Sequence, residues 1–347
     1  MWTGPHSEIS SRRFILQFHD HISKILELRR TNVVSTETSH ERTGFVWFHL
    51  QHDDAGRVVV LPGPRRRCSA HRGNLPQSSI NPHNIDNSSV RSASDLSFSP
   101  RHPRFLSLKT RDSLVKAAAS GLVAPQGLIA HGRGEAFDYV IGERTMPAAS
   151  VATLAAAALL LKAEWPVISV NGNAAALTGK EIVSLASIVS ASIEVNLFHR
   201  TLEREKLIAR LLKSFGAKEV LGVGSAASRT IRGISSSRAN VDPNGIGKAD
   251  VVLIPLEDGD RAQALEHDGK SVIAIDLNPL SRTSQVASVT IVDNVVRAIP
   301  ALIRSSRKMK ELPKSQLEKY ISRFNNERNL ANAVEQIVQY LQGWMEN

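Results

Sequence analysis

Short apolar, β-branched runs return at helix-length intervals through the later part of the chain, and nearly every one ends in polar residues. PVISV (166–170), IEVNLF (193–198), KEVLGVG (218–224), ADVVLIPL (249–256), KSVIAIDL (270–277) and ASVTIV (287–292) are apolar almost throughout rather than alternating. Such strands must be covered on both faces, and helical stretches between them supply the cover. The pattern predicts an α/β fold with a largely parallel sheet and helices on both sides. SLKTRDSLVKAAA (107–119) reads as a helix closed by Gly121 and Pro125. Thr178 and Glu181 form a capping box, predicted to open a helix with Ile182, Leu185, Ala186 and Val189 on one face. TLEREKLIARLLKSF is a second helix, stopped by Gly216. VVRAIPALIR is a third, and Leu330, Val334, Ile337, Val338 and Leu341 define an amphipathic helix near the end. AASVATLAAAALLL (148–161) is too short and alanine-rich for a membrane span and reads as a buried helix.

Residues 1–99 differ from the rest. They hold eight of the chain's twelve histidines and set one lysine against eleven arginines. FILQFHDHISKILELRR suits a helix, and GFVWFHL and RVVVLP suit short strands, too few to build a core. The polar stretch 65–100 is expected to be disordered. His19 and His21 would not share a helix face, so no metal site is assigned there. The domain division is therefore a poorly ordered basic extension, 1–99, and an organised body, 100–347.

Composition narrows the function. One cysteine, Cys68, excludes an internal disulfide or thiolate metal site. The net charge of +10 admits anionic partners, but aromatics at 5% and the lack of aromatic–basic interleaving argue against base stacking. No P-loop is present, since Gly179-Lys180 is followed by Glu181. Gly222-x-Gly224-x-x-Ala227 imitates a dinucleotide fingerprint, yet the sequence after it is not helical, and a pyrophosphate needs a helix N-terminus there.

In open parallel sheets, ligands bind beyond the carboxyl ends of the strands. The polar groups cluster at those ends: Asn171-Gly172-Asn173, His199-Arg200-Thr201, Glu257-Asp258-Gly259-Asp260-Arg261, Asp276-Leu277-Asn278 through Arg282-Thr283, and Asp293-Asn294. GLIAHGRGEAFDYVIGERT (127–145) reads as a glycine-rich anion loop. Arg133 and Arg144 offer guanidinium forks, Gly132 and Gly134 offer unobstructed backbone amides, and Glu135 and Asp138 hold the arginines or meet Mg²⁺ through phosphate. Arg111 and Arg282 are expected to converge on the same anion.

These strings, taken in order, resemble the archaeal phosphopantothenate synthetase (4-phosphopantoate–β-alanine ligase) family, densely over about residues 101–305. The resemblance implies a Rossmann-like core, a homodimer, a cytoplasmic enzyme of coenzyme A biosynthesis, and ATP with Mg²⁺. No nucleic acid or membrane is expected as a partner. It also implies ATP contacts at Arg111, Arg133, Asp276, Leu277, Asn278, Arg282, Thr283, Asn294 and Val295. Beside it, Asn171, Asn173, Arg200, Asp258 and Asp260 are expected on the substrate side. Arg133 and His131 are the expected catalytic pair. A dinucleotide-dependent dehydrogenase and a nucleic-acid-binding protein are the rival readings.

The composition of the first ninety-nine residues fits translated upstream sequence, with the true start near Val90 or Leu96. Mass spectrometry of the native protein is then expected to recover no peptide from residues 1–60. Finding such peptides refutes the expectation.

Overall fold

The computed structural model describes residues 48–52, 58–62, 99, 101–102, 104–256 and 259–346. The chain divides into two units, Met1–Asn84 and Ile85–Asn347. In the first, β1 (Phe48–His52) pairs antiparallel with β2 (Val58–Pro62), from Phe48↔Pro62 to His52↔Val58. β2 falls within the run expected to form it, and β1 overlaps its expected run at residues 48–50 and continues to His52. The expected helix before them, the polar stretch up to residue 98 and the His19/His21 pair lie outside the described residues.

The second unit is built on five parallel strands: β3 (Pro166–Val170), β4 (Ser192–Val195), β7 (Val251–Pro255), β8 (Ser271–Ile275) and β9 (Val289–Ile291). Their spatial order is β4-β3-β7-β8-β9. The chain runs outward from β3 to β4, then returns across β3 to continue on its other side. The reversal opens a crevice at the carboxyl ends of β3 and β7, the switch point of a doubly wound sheet. A two-residue antiparallel pair, β5 (Arg229–Thr230) with β6 (Asn240–Val241), lies apart from this sheet.

Alternation along each strand fills two cores. Ile168, Val170, Leu253, Ile273 and Ile275 face a cluster with α1 (Phe105–Ala119), α3 (Pro147–Lys162), α4 (Gly172–Val189) and α8 (Val295–Met309). Val167, Val252, Ile254, Val272 and Ala274 face α6 (Gly259–His267) and the segment holding Ile231, Val241 and Ile246. Helix α3 is the predicted buried alanine helix, and its small side chains let backbones approach closely; Ala152, Ala156 and Ala157 are fully buried. No helix among the described residues is long and apolar enough to cross a membrane. Helices α5 (Leu202–Ser214), α7 (Arg282–Val286), α9 (Lys314–Ser322) and α10 (Asn326–Met345) complete the unit.

Three local expectations are corrected. The glycine-rich "loop" is a helix, α2 (Pro125–Val140), so the amides of Gly132 and Gly134 lie within a helix rather than facing an anion. One of its glycines answers packing instead. A Cβ on Gly127 would collide with the Asn173 side chain, whereas one on Gly134 would make only ordinary contact with Leu277 and one on Gly132 would meet open space. The helix after β3 starts at Gly172, capped by Asn171, rather than at Thr178. Thr178 is a kink (φ −141°, ψ 22°) whose hydroxyl donates to the Ala174 carbonyl at 3.0 Å. KEVLGVG forms only a bridge at Leu221 to Glu194, because Gly222 turns at φ +78°.

Glu194, on β4, is fully buried on the α6 side of the sheet. Its carboxylate accepts from the Asp242 amide at 3.1 Å and the Ile246 amide at 2.6 Å, fastening the 240s segment to the sheet. Burial pushes its carboxyl up to about 7, against these hydrogen bonds and nearby Arg261. The folded protein therefore keeps a proton that the unfolded carboxyl releases near 4.5. Stability is expected to fall as pH rises from about 4.5 to about 7 and to level off above. Denaturation midpoints of Glu194→Gln across that window, compared with the parent chain, isolate this contribution: the parent's excess slope should vanish.

Candidate active site

A cavity of about 600 Å³ opens at the crevice. Helix α2 forms one wall, carrying His131, Arg133, Gly134, Glu135 and Phe137. The opposite side comes from the β8 end (Asp276, Leu277, Asn278), α7 (Arg282, Thr283) and the start of α8 (Asn294, Val295). Asn171, Gly172 and Asn173 reach it from the β3 end, and His199, Arg204 and Arg238 from beyond β4. The volume suits a nucleotide-sized ligand.

Each wall has a local cause. Asp276 is held in a turn: its Oδ1 accepts from the Asn278 amide at 2.9 Å and its Oδ2 from the Ser281 hydroxyl. Burial raises its carboxyl above the usual value, while these bonds and the Arg133 charge pull the other way. Asn294 caps α8, accepting from the Val296 amide at 3.3 Å, so that helix presents its positive end to the cavity. Its Nδ2 donates to Asp138 at 2.8 Å. Asp138 also accepts both guanidinium nitrogens of Arg297, whose Nε donates to Asp293 at 2.8 Å. Thr145 donates to the second Asp293 oxygen at 2.6 Å. This buried network ties α2 to α8. Arg297 escaped the sequence reading although Asp293, four residues before it, offered an i,i+4 ion-pair signal.

Arg133 has no carboxylate within ion-pair range among the described residues, and its guanidinium is exposed to the cavity. His131 lies on the same helix. Burial lowers its imidazole below the usual value, opposed by Glu135 and assisted by Arg111. A neutral imidazole near pH 7 is a competent proton acceptor.

The remaining expected site residues sort differently. Arg111 does not line the cavity; its Nε donates to both Glu135 oxygens at 2.9 Å and its Nη2 to Tyr139 at 3.0 Å. Through Glu135 it braces α2 from behind. Arg144 stacks on the Tyr340 ring at 5.0 Å instead of facing an anion. Arg200 is committed to structure: it pairs with Glu205 and donates to the carbonyls of Asn240 at 3.0 Å and Gly222 at 2.8 Å. Arg204, four residues on and in the first turn of α5, lines the cavity. Asn171 is a positioning group, since its Nδ2 donates to the Pro255 and Leu256 carbonyls and its Oδ1 caps α4. Asn173 donates to the Gly127 carbonyl at 2.8 Å, linking α4 to α2. Arg282 is drawn outward to Asp260 and Gln263 at the exposed rim. Glu257 and Asp258 lie outside the described residues. The Gly222–Ala227 stretch forms a 3₁₀ turn and then β5, so no helix dipole faces a pyrophosphate there.

A doubly wound sheet whose switch-point cavity gathers guanidinium groups and a helix N-terminus marks an α/β protein suited to anionic ligands. The profile of the phosphopantothenate/pantothenate synthetase family matches residues 148–340, and the chain belongs to this family. It is 49% identical over 234 residues to the 4-phosphopantoate–beta-alanine ligase of Thermococcus kodakarensis, covering 67% of this chain and 89% of that protein. The ligase of the same name from Methanosarcina mazei is 50% identical over 240 residues, 69% of this chain and 94% of its own length. That of Methanospirillum hungatei is 55% identical over 203 residues, 58% and 82% of the two chains.

Removing the cation from the buried network leaves Asp138 and Asp293 uncompensated. Arg297→Ala is expected to cost about 3–5 kcal/mol in denaturant unfolding. A loss below about 1 kcal/mol would show that the pair contributes little.

Proposed function

We propose that this chain joins 4-phosphopantoate to β-alanine with consumption of ATP, giving 4′-phosphopantothenate, AMP and diphosphate in coenzyme A biosynthesis. One observation carries the reading. In a chain about half identical to ligases of that name, Arg133, Asp276 and the Asn294-capped N-terminus of α8 converge on one nucleotide-sized cavity.

A carboxylate is a poor electrophile. It becomes one by attacking the α-phosphorus of ATP, which forms a C–O–P linkage and expels diphosphate. The β-alanine amine then attacks the acyl carbon, the bond to AMP breaks, and the amine gives up a proton. Negative charge spreads over phosphoryl oxygens in the first step, and Arg133 with the α8 N-terminus offers fixed positive charge for it. Asp276 sits where ribose hydroxyls or an adenine amino group would find an acceptor. His131, neutral by burial, takes the amine proton. Mg²⁺ brought with the triphosphate would supply charge neutralisation there, alongside Arg133 and the α8 N-terminus.

Two further parts belong to this reading. Residues 100–347 act as the ligase unit; about two thirds of the chain covers most of each relative's length. The unit acts as a homodimer, with the exposed Val338, Leu341, Trp344 and Met345 of α10 as apolar surface for a second copy.

Purified protein given ATP, Mg²⁺, 4-phosphopantoate and β-alanine should release AMP, with release depending on both organic substrates. Arg133→Ala should lower turnover at least about a hundredfold while keeping the parent's circular dichroism. Near-parental turnover removes Arg133 from the chemistry. Activity should decline as pH falls through a value below the ordinary histidine range, near 6.5, because burial depresses the His131 imidazole. His131→Gln should be slower by about 10²-fold or more and lack that acid limb. An unchanged limb assigns the proton transfer to another group.

A further inference from the structure

Helix α2 buries one of its sixteen side chains completely, and that one is Asp138. A carboxylate in such a place is costly unless donors answer its oxygens. Three do: both terminal guanidinium nitrogens of Arg297, and Asn294 Nδ2 at 2.8 Å. The backbone is fixed as well. The Asp138 carbonyl accepts from the Glu143 amide at 2.8 Å, where Glu143 closes the helix in a left-handed turn at φ +51°. Arg297 has a second carboxylate, Asp293, at 2.7 Å. The Asn294 amide nitrogen has no such substitute among the described residues.

A primary amide can sit in either of two orientations related by a half-turn, with oxygen and nitrogen exchanged. Asn294 lines the cavity and caps α8, so the two orientations differ in what they offer a ligand. In the observed one, Oδ1 accepts from the Val296 amide at 3.3 Å and Nδ2 donates to Asp138. The second N–H of Nδ2 has no partner among the described residues. Reversed, Oδ1 would meet the Asp138 carboxylate and Nδ2 would meet the Val296 N–H, acceptor against acceptor and donor against donor. The Val296 bond is long, so the helix end alone fixes the amide weakly. An ionised carboxylate can only accept, and it settles which end is nitrogen.

We propose that Asp138 is a positioning residue for the nucleotide: it fixes the Asn294 amide with an N–H available to ATP at the α8 end of the cavity. This rests on the ligase reading above. Asp138 is not among the residues lining the cavity and acts through Asn294.

Titration calorimetry of the full chain with ATP and Mg²⁺ tests the assignment. Asp138→Asn keeps the size of the side chain and leaves Arg297 its pair with Asp293, but an amide at 138 tolerates either orientation of Asn294. ATP affinity should fall about three- to tenfold, the range for one hydrogen bond. The sign is diagnostic, because removing a negative charge near a polyanion would by itself tighten binding. Asn294→Ser, which keeps a capping oxygen but deletes the amide, should weaken ATP by a similar factor. The double variant should bind as Asn294→Ser does and no weaker, because both changes remove one contact. In the AMP-release assay, the KM values for 4-phosphopantoate and β-alanine should stay within about twofold of the parent's in Asp138→Asn.

Parental or tighter ATP binding in Asp138→Asn overturns the assignment. So do losses that multiply in the double variant, or a parallel rise of all three KM values, either of which would make Asp138 scaffold alone. Should Asp138→Asn fail to fold, nuclear magnetic resonance of the parent chain gives the answer. The Asn294 side-chain amide, identified by its disappearance in Asn294→Ser, should exchange slowly with solvent, and solvent-like exchange overturns the assignment. Failure of the ligase reading is separate: the parent would then bind no ATP and release no AMP, while the amide exchange would still report on the bond to Asp138.

Discussion

The site depends on one amide at the switch point. The sheet parts its helices between β3 and β7, and nothing in the strand ladder itself fixes the width of the gap beyond the last backbone hydrogen bonds. Asn171 does so, donating to two carbonyls at the β7 end and accepting from the first turn of α4. The same side chain therefore sets the crevice width and aims a helix N-terminus into it. From there Asn173 fixes α2, and α2 is tied in turn to α8 through Asp138 and Arg297. Each of these links is short, buried or half-buried, and polar. They place the walls of the cavity relative to the sheet more narrowly than apolar packing alone would.

Much of the framework was legible because its signals are periodic. Uninterrupted apolar runs such as VVLIPL declare strands covered on both faces, and the structure places five of them in one parallel sheet. The strand order was not legible, since periodicity says nothing about which neighbour a strand will choose. The α2 segment was misread for a physical reason. Glycine lowers helix propensity by about 1 kcal/mol per residue, and four glycines in 127–145 suggested irregular backbone. Tertiary contact outweighs that cost: Gly127 is where Asn173 must pass, and Pro125 favours the first turn.

The site was legible by class more than by individual. Strand-end polar clusters pointed to the rim where the cavity opens, and His131, Arg133, Asp276 and Asn294 share that cavity. Which arginine faces inward was not readable. Arg200 and Arg204 stand four residues apart on either side of the α5 cap at Thr201, with Glu205 beside Arg200 and Gly172 beside Arg204. Arg111 likewise sits one layer back because Glu135 intercepts it.

The helical state of α2 has a geometric corollary. Residues two apart on a helix point about 200° away from each other around its axis. His131 and Arg133 both line the cavity but leave α2 on nearly opposite flanks. Because the rod is braced at Glu135 and Asp138, the separation between those two flanks is set when the chain folds.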